Sequence, residues 1–156
     1  MRLKEILSKD TIRIPLLSTE KDKLIEEMVD ALYAAGKIED REKVLKAVLD
    51  RERVMSTGVG DGVAIPHGKA DGVKNLVASF GVTKHEVEFG SIDDKPVRLV
   101  FLLVGPYDQT GPHLKALSHI SRLMHRPECR ARLTKAKTPE EVLAAIEKEE
   151  DACFGT

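Results

Sequence analysis

The chain is poor in the features that mark an oxidising compartment, a membrane or a polyanion partner. Only two cysteines occur, Cys129 and Cys153. They stand in a basic helix-like segment and in the C-terminal tail without framework or metal-type spacing, which excludes a disulfide scaffold. No charge of one sign dominates: 25 Lys and Arg oppose 26 Asp and Glu, for a net charge of -1. The broad basic field that draws in nucleic acid or a membrane surface is therefore missing. No apolar run approaches the ~18 residues of a membrane span, and Met1-Arg2-Leu3-Lys4-Glu5 opens no apolar core with a cleavage site. Internal repeats and low-complexity linkers are lacking too. The expectation is a cytoplasmic chain whose 156 residues form one domain over 1–150, with a frayed tail at 151–156.

What is present concentrates between Arg51 and Lys69. Glycines at alternate positions (Gly58, Gly60, Gly62) bring backbone N–H groups within reach of a ligand. The short apolar run Val63-Ala64-Ile65 leads to Pro66, which has no N–H to donate and reads as the end of a strand. His67 then stands at a strand terminus, held stiffly and facing outward.

Periodicity supplies the rest of the frame. A small helical turn and an edge strand ended by Pro15 open the chain. A helix capped by Ser18 or Thr19 carries the stripe Leu24, Ile25, Met28, Val29 and Leu32, and ends at Gly36. A second starts at Glu39 or Asp40 and buries Val44, Leu45, Val48 and Leu49. Residues 76–82 read as a strand; Val87, Phe89 and Ile92 read as a more polar, exposed stretch. Val97 to Val104, the most apolar run, reads as a central strand covered on both faces. After the polar loop 105–112 comes a helix with Pro112 and His113 in its first turn and Leu114, Leu117, Ile120, Leu123 and Met124 as its stripe, broken by Pro127. Two short helices follow, around 129–133 and from Thr138 to Glu147. This order predicts an α/β fold: a mixed parallel and antiparallel sheet flanked by helices on both faces, in three layers.

Neutral imidazole is a nucleophile at cytosolic pH and accepts a phosphoryl group without a separate base. The resulting anion needs donors around it. Arg51 offers a planar fork, Ser56 and Thr57 hydroxyls, and Gly58 a backbone N–H, while His113 at a helix start supplies a neutral N–H. Rival chemistries fail on spacing. Gly58-Val59-Gly60-Asp61-Gly62 lacks the dinucleotide fingerprint and leads into a strand-like run rather than a helix. His113, His119 and His125 recur every sixth residue, which scatters them around a helix, so no metal is expected. A hydrolase using His67 as base lacks a nucleophile at plausible spacing. His85 fits no pattern and reads as surface.

The run Arg51-Glu52, Ser56-Thr57-Gly58-Val59-Gly60 and Gly62-Val63-Ala64-Ile65-Pro66-His67-Gly68-Lys69 resembles the signature of the enzyme IIA domain of the bacterial phosphoenolpyruvate-dependent sugar phosphotransferase system, fructose/mannitol class. The resemblance extends from about residue 3 to 148 and includes Pro112-His113-Leu114-Lys115-Ala116-Leu117. It implies that His67 is phosphorylated by a small phosphocarrier protein (HPr-like), with His113 as second histidine and Arg51 as the signature arginine, and that no cofactor is needed. It implies one of two onward partners: the cysteine of a IIB domain in sugar transport, or a regulatory target protein in the nitrogen-regulatory branch. Asp108 to Leu117 is more similar to the latter, and the chain reads as free-standing, with no attached IIB, carrier or membrane domain.

Overall fold

The structure, a computed structural model, describes residues 1–155; Thr156, the last residue of the expected tail, lies outside them. Two 3-10 turns (Leu3–Glu5 and Lys9–Thr11) lead into β1 (Ile12–Leu16), α1 (Lys21–Ala34) and α2 (Arg41–Val54). Three short strands follow, β2 (Gly58–Gly60), β3 (Val63–Ala64) and β4 (His67–Lys69), and then two long ones, β5 (Val77–Val87) and β6 (Val97–Gly105). Helices α3 (Thr110–Met124), α4 (Pro127–Lys135) and α5 (Pro139–Phe154) complete the chain. No helix among the described residues is long and apolar enough to cross a membrane.

The sheet runs β1-β5-β6-β3-β2, with β4 also paired to β6. It is mixed: β1 is parallel to β5, β5 antiparallel to β6, β3 and β4 parallel to β6, and β2 antiparallel to β3. β6 shows why its sequence is apolar throughout. Leu99, Phe101 and Leu103 pack with Ala116, Ile120, Leu133, Val142 and Ile146 beneath α3, α4 and α5. Val100, Leu102 and Val104 pack on the opposite face with Leu24, Met28, Val44 and Val48 of α1 and α2. Successive side chains leave opposite faces of a strand, so a strand covered twice can spare no polar position. Each fully buried leucine of this kind contributes about 2 kcal/mol.

Several local expectations are corrected. β1 runs on through Pro15, whose bond to Ile14 is cis, because an edge strand tolerates a residue without an N–H. Helix α1 starts from Glu20 without a side-chain cap; instead the Leu17 and Ser18 N–H groups donate to the Glu27 carboxylate, 3.0 and 2.6 Å away. Val87 and Phe89 are fully buried, and only Ile92 is exposed. β5 extends to Val87, past an irregularity in its pairing with β6 and past Lys84, His85 and Glu86, whose polarity hides the continuation. Leu114 is exposed, and Ala116 takes its place in the buried stripe of α3. α5 continues to Phe154, whose ring stacks on His119 at 4.2 Å, so the ordered helix reaches well into the expected tail.

Pro66 does not end the strand either. It divides β3 from β4, but the Leu103 N–H still donates to the Pro66 carbonyl at 3.0 Å, and pairing with β6 resumes in step at His67↔Leu103. The period of two then aims His67 to the same face as Val63 and Ile65, towards α3, and Gly68 towards α2. A Cβ on Gly68 would lie 3.1 Å from the Val48 backbone nitrogen, so the absence of a side chain there lets α2 rest directly on the strand that carries His67.

Candidate functional site

His67 is half-buried on β4, and its Nδ1 lies 2.9 Å from the Ile65 carbonyl oxygen. A carbonyl only accepts, so Nδ1 carries the proton and donates it. In the neutral ring that leaves Nε2 with its lone pair, which makes Nε2 the nucleophilic atom. Burial pushes the His67 pKa below the ordinary histidine value; the bond to Ile65 opposes this, and the nearby Arg51 and Lys69 charges add to it. The neutral ring is therefore favoured more than in free histidine.

His113 reaches the same place from α3. The two ring centroids are 5.6 Å apart, at 62°. His113 is 3% exposed and neither of its ring nitrogens has a hydrogen-bond partner. Burial, then the His67 and Lys69 charges, push its pKa down to about 4. It is neutral, with one N–H and no acceptor. A buried donor left unpaired costs about 1–3 kcal/mol. Its Nδ1 side faces the end of β6, where a Cβ on Gly105 would come within 3.4 Å.

Arg51 lies in the last turn of α2, half-buried, and donates from Nη1 to the Met55 carbonyl at 2.8 Å. That bond folds the guanidinium back over the loop it precedes. Ser56, Thr57 and Gly58 lie in this loop, where both hydroxyls and the Thr57 and Gly58 N–H groups already have partners. The Ser56 hydroxyl donates to the Phe89 carbonyl at 2.7 Å and accepts from Gly58 N–H at 3.1 Å. Thr57 donates its N–H and its hydroxyl to the two oxygens of Glu52, at 2.7 and 2.6 Å. These bonds fix the shape of the loop.

Lys69 is the cation that the residue pattern did not single out. It follows His67 by two residues on the same strand face, and its Nζ donates to the Thr110 hydroxyl at 3.0 Å, at the first turn of α3. Thr110 and Gly111, as first-turn residues, have N–H groups without an intrahelical acceptor, so strand and helix start bring positive character to one side of the imidazoles. Its signal was the parity of a strand continuing past Pro66. Of the other histidines, His119 donates from Nε2 to Glu150 at 2.7 Å in the interior, and His85 is exposed on β5.

Both imidazoles titrate below free histidine, which fixes the sign of an acid effect on stability. Between pH 6.5 and about 4 the unfolded chain binds protons that folded His113 does not, so stability is lost as pH falls through this window. Urea midpoints at pH 7.5 and pH 5 are expected to differ, and His113→Gln to narrow the gap. An equal gap in the variant would place the acid sensitivity elsewhere.

The arrangement suits phosphoryl capture: a fixed nucleophilic nitrogen, an unpaired buried donor beside it, and cations at the edge. Residues 5–149 match the family described as phosphoenolpyruvate-dependent sugar phosphotransferase system, EIIA 2. The chain is similar to the PTS system fructose-specific EIIABC component of Bacillus subtilis, 40% identical over 146 residues, covering 94% of this chain but only 23% of that much longer protein. It is similar to the PTS system fructose-specific EIIA component of Haloferax volcanii, 36% identical over 81% of this chain and 84% of the relative. Among solved structures, the nitrogen regulatory protein IIA-Ntr of Neisseria meningitidis superposes with a TM-score of 0.85 at 35% identity, over 91% of this chain and 97% of that one.

Proposed function

The chain belongs to the EIIA type 2 family of the phosphoenolpyruvate-dependent sugar phosphotransferase system, and on that premise we propose that His67 is its phosphorylated residue and Nε2 the acceptor atom. The observation that carries this reading is the Nδ1–H bond to Ile65, which leaves Nε2 free of a proton. The Nε2 lone pair attacks the phosphorus of a phosphohistidine on a small phosphocarrier protein. The donor's P–N bond breaks, its imidazole leaves with the electron pair, and the His67 proton stays on Nδ1. No base is required. The His113 N–H, Arg51 and Lys69 meet the anionic oxygens, so catalysis is positioning and electrostatic stabilisation. Ser56, Thr57 and Gly58 contribute by holding the loop.

Side chains that border the site suit a protein donor. Met55, beside Arg51, is 70% exposed, and Tyr107 and Leu114, before and after the first turn of α3, are 61% and 60% exposed. Exposed apolar groups around a polar centre are what a docking partner covers. On this reading the chain works in the cytoplasm, where it meets its carrier.

For the onward step we favour the regulatory reading, in which phosphorylated and free forms bind a target protein differently. The Asp108 to Leu117 stretch and the 35% identity to IIA-Ntr support it. A second reading, transfer to the cysteine of a IIB domain, is favoured by the 40% and 36% identities to fructose-specific relatives. Chase of labelled chain with a IIB domain separates them. Under the regulatory reading the label stays on His67; its quantitative passage to the IIB cysteine would overturn that reading in favour of transport.

A further inference from the structure

The least expected group near His67 is a buried carboxylate. Glu52, in the last turn of α2, is 5% exposed, yet it is surrounded by donors rather than left to repel an incoming phosphoryl group. One oxygen takes the Thr57 hydroxyl; the other takes the Thr57 N–H and the Lys21 ammonium, 3.0 Å away. Lys21 comes from the first turn of α1, donates also to the Phe89 carbonyl at 3.0 Å, and lies 4.5 Å from the centre of the Phe89 ring.

The path continues from Thr57 to the reacting ring. The Thr57 carbonyl accepts the Ile65 N–H at 3.0 Å, and the Ile65 carbonyl accepts His67 Nδ1–H at 2.9 Å. Thr57 is thus pinned by its N–H and hydroxyl on one side, and on the other it fixes the residue that sets the His67 tautomer. β2 and β3 pair at only two positions, Gly58↔Ala64 and Gly60↔Val63, with a register irregularity between them. Such a short ladder specifies its own register weakly. The ion pair from α1 and α2 supplies what the ladder lacks.

We infer that Glu52, held by Lys21, is a positioning residue for phosphoryl transfer: through Thr57 and Ile65 it keeps the proton of His67 on Nδ1 and Nε2 open to the donor. This rests on the reading of His67 as acceptor. It explains why adjacent residues of one helix turn have different tasks, Arg51 serving the phosphoryl oxygens and Glu52 the ring that receives them.

The test combines NMR of the histidine ring nitrogens with single-turnover uptake from a phosphorylated phosphocarrier protein. In Glu52→Gln the amide cannot accept from Thr57 at both atoms, so the His67 proton is expected to distribute between Nδ1 and Nε2. Uptake should slow by about 10- to 100-fold, the scale of a small misplacement of reacting groups. Thr57→Val, nearly the same shape without the hydroxyl, should shift the tautomer in the same direction, and Thr57→Ser should restore it. That pair keeps the test decisive if Glu52→Gln does not fold. An Nδ1–H tautomer unchanged in a folded Glu52→Gln, or Thr57→Val and Thr57→Ser behaving alike, overturns the inference. Failure of His67 itself to take up label in the wild-type chain would instead remove the acceptor assignment, and the ring-nitrogen spectra would still report whether Glu52 positions the imidazole.

Discussion

His67→Ala is expected to abolish phosphoryl uptake. Incubated with a phosphorylated phosphocarrier protein, the wild-type chain should gain one acid-labile, base-stable label, and the variant none. The competing acceptors are poor ones. His113 is 3% exposed, and a ring that cannot reach the surface cannot meet a phosphohistidine presented by another protein. His119 is buried against Glu150, and His85 stands on an exposed stretch of β5 with no cluster of donors described around it. Alanine in place of His67 also removes little of the core, since the side chain is half-buried and the strand is held through its backbone by β6. A folded variant without label is the result that fits. Full labelling of the variant would move the acceptor elsewhere, and peptide mapping would then find it.

The second large effect is expected at His113. With a pKa of about 4 it is a neutral donor throughout the physiological range, so its contribution is a hydrogen bond rather than a charge. Removal of one preorganised donor from a site that stabilises developing negative charge costs about 100- to 1000-fold in rate. His113→Ala should lose that factor in single-turnover uptake while His67 still becomes labelled to completion. His113→Gln, whose amide can donate from near the Nε2 position, should recover part of it. The rate of the wild-type chain should fall little between pH 8 and pH 7, since both imidazoles are shifted below the ordinary histidine value. A His113→Ala rate equal to that of the wild type would reduce this ring to packing against Gly105.

Much of the frame was legible from periodicity. The stripes of α1 and α2 and the double-sided apolarity of β6 each follow from a period that burial imposes, and the mixed, three-layered sheet follows from their order. Residue type alone left both histidines as ordinary turn and helix-start residues; the resemblance singled them out, and the fold brings their rings to 5.6 Å. Contacts between segments remote in sequence were not legible. Phe89 is buried because Lys21 and Ser56 come from elsewhere to satisfy its carbonyl, and no local pattern announces that. Ser56, Thr57 and Gly58 look like ligand donors in sequence because short polar residues beside glycine suit both tasks; their bonds to Glu52, Phe89 and one another depend on remote or side-chain partners that no local pattern announces. Lys69 was hidden behind Pro66. A missing N–H usually closes a strand, and here the ladder with β6 survives it.

That surviving ladder limits what modification can do to the molecule. The backbone of His67 is locked between its neighbours on β6 and the α2 helix resting on Gly68, and its second ring nitrogen is already tethered. A phosphate added at the open nitrogen meets a strand already held by β6 and packed under α2. The two forms should superimpose almost atom for atom, and a partner that tells them apart must sense local voltage rather than contour. Discrimination of that kind fades as ionic strength rises.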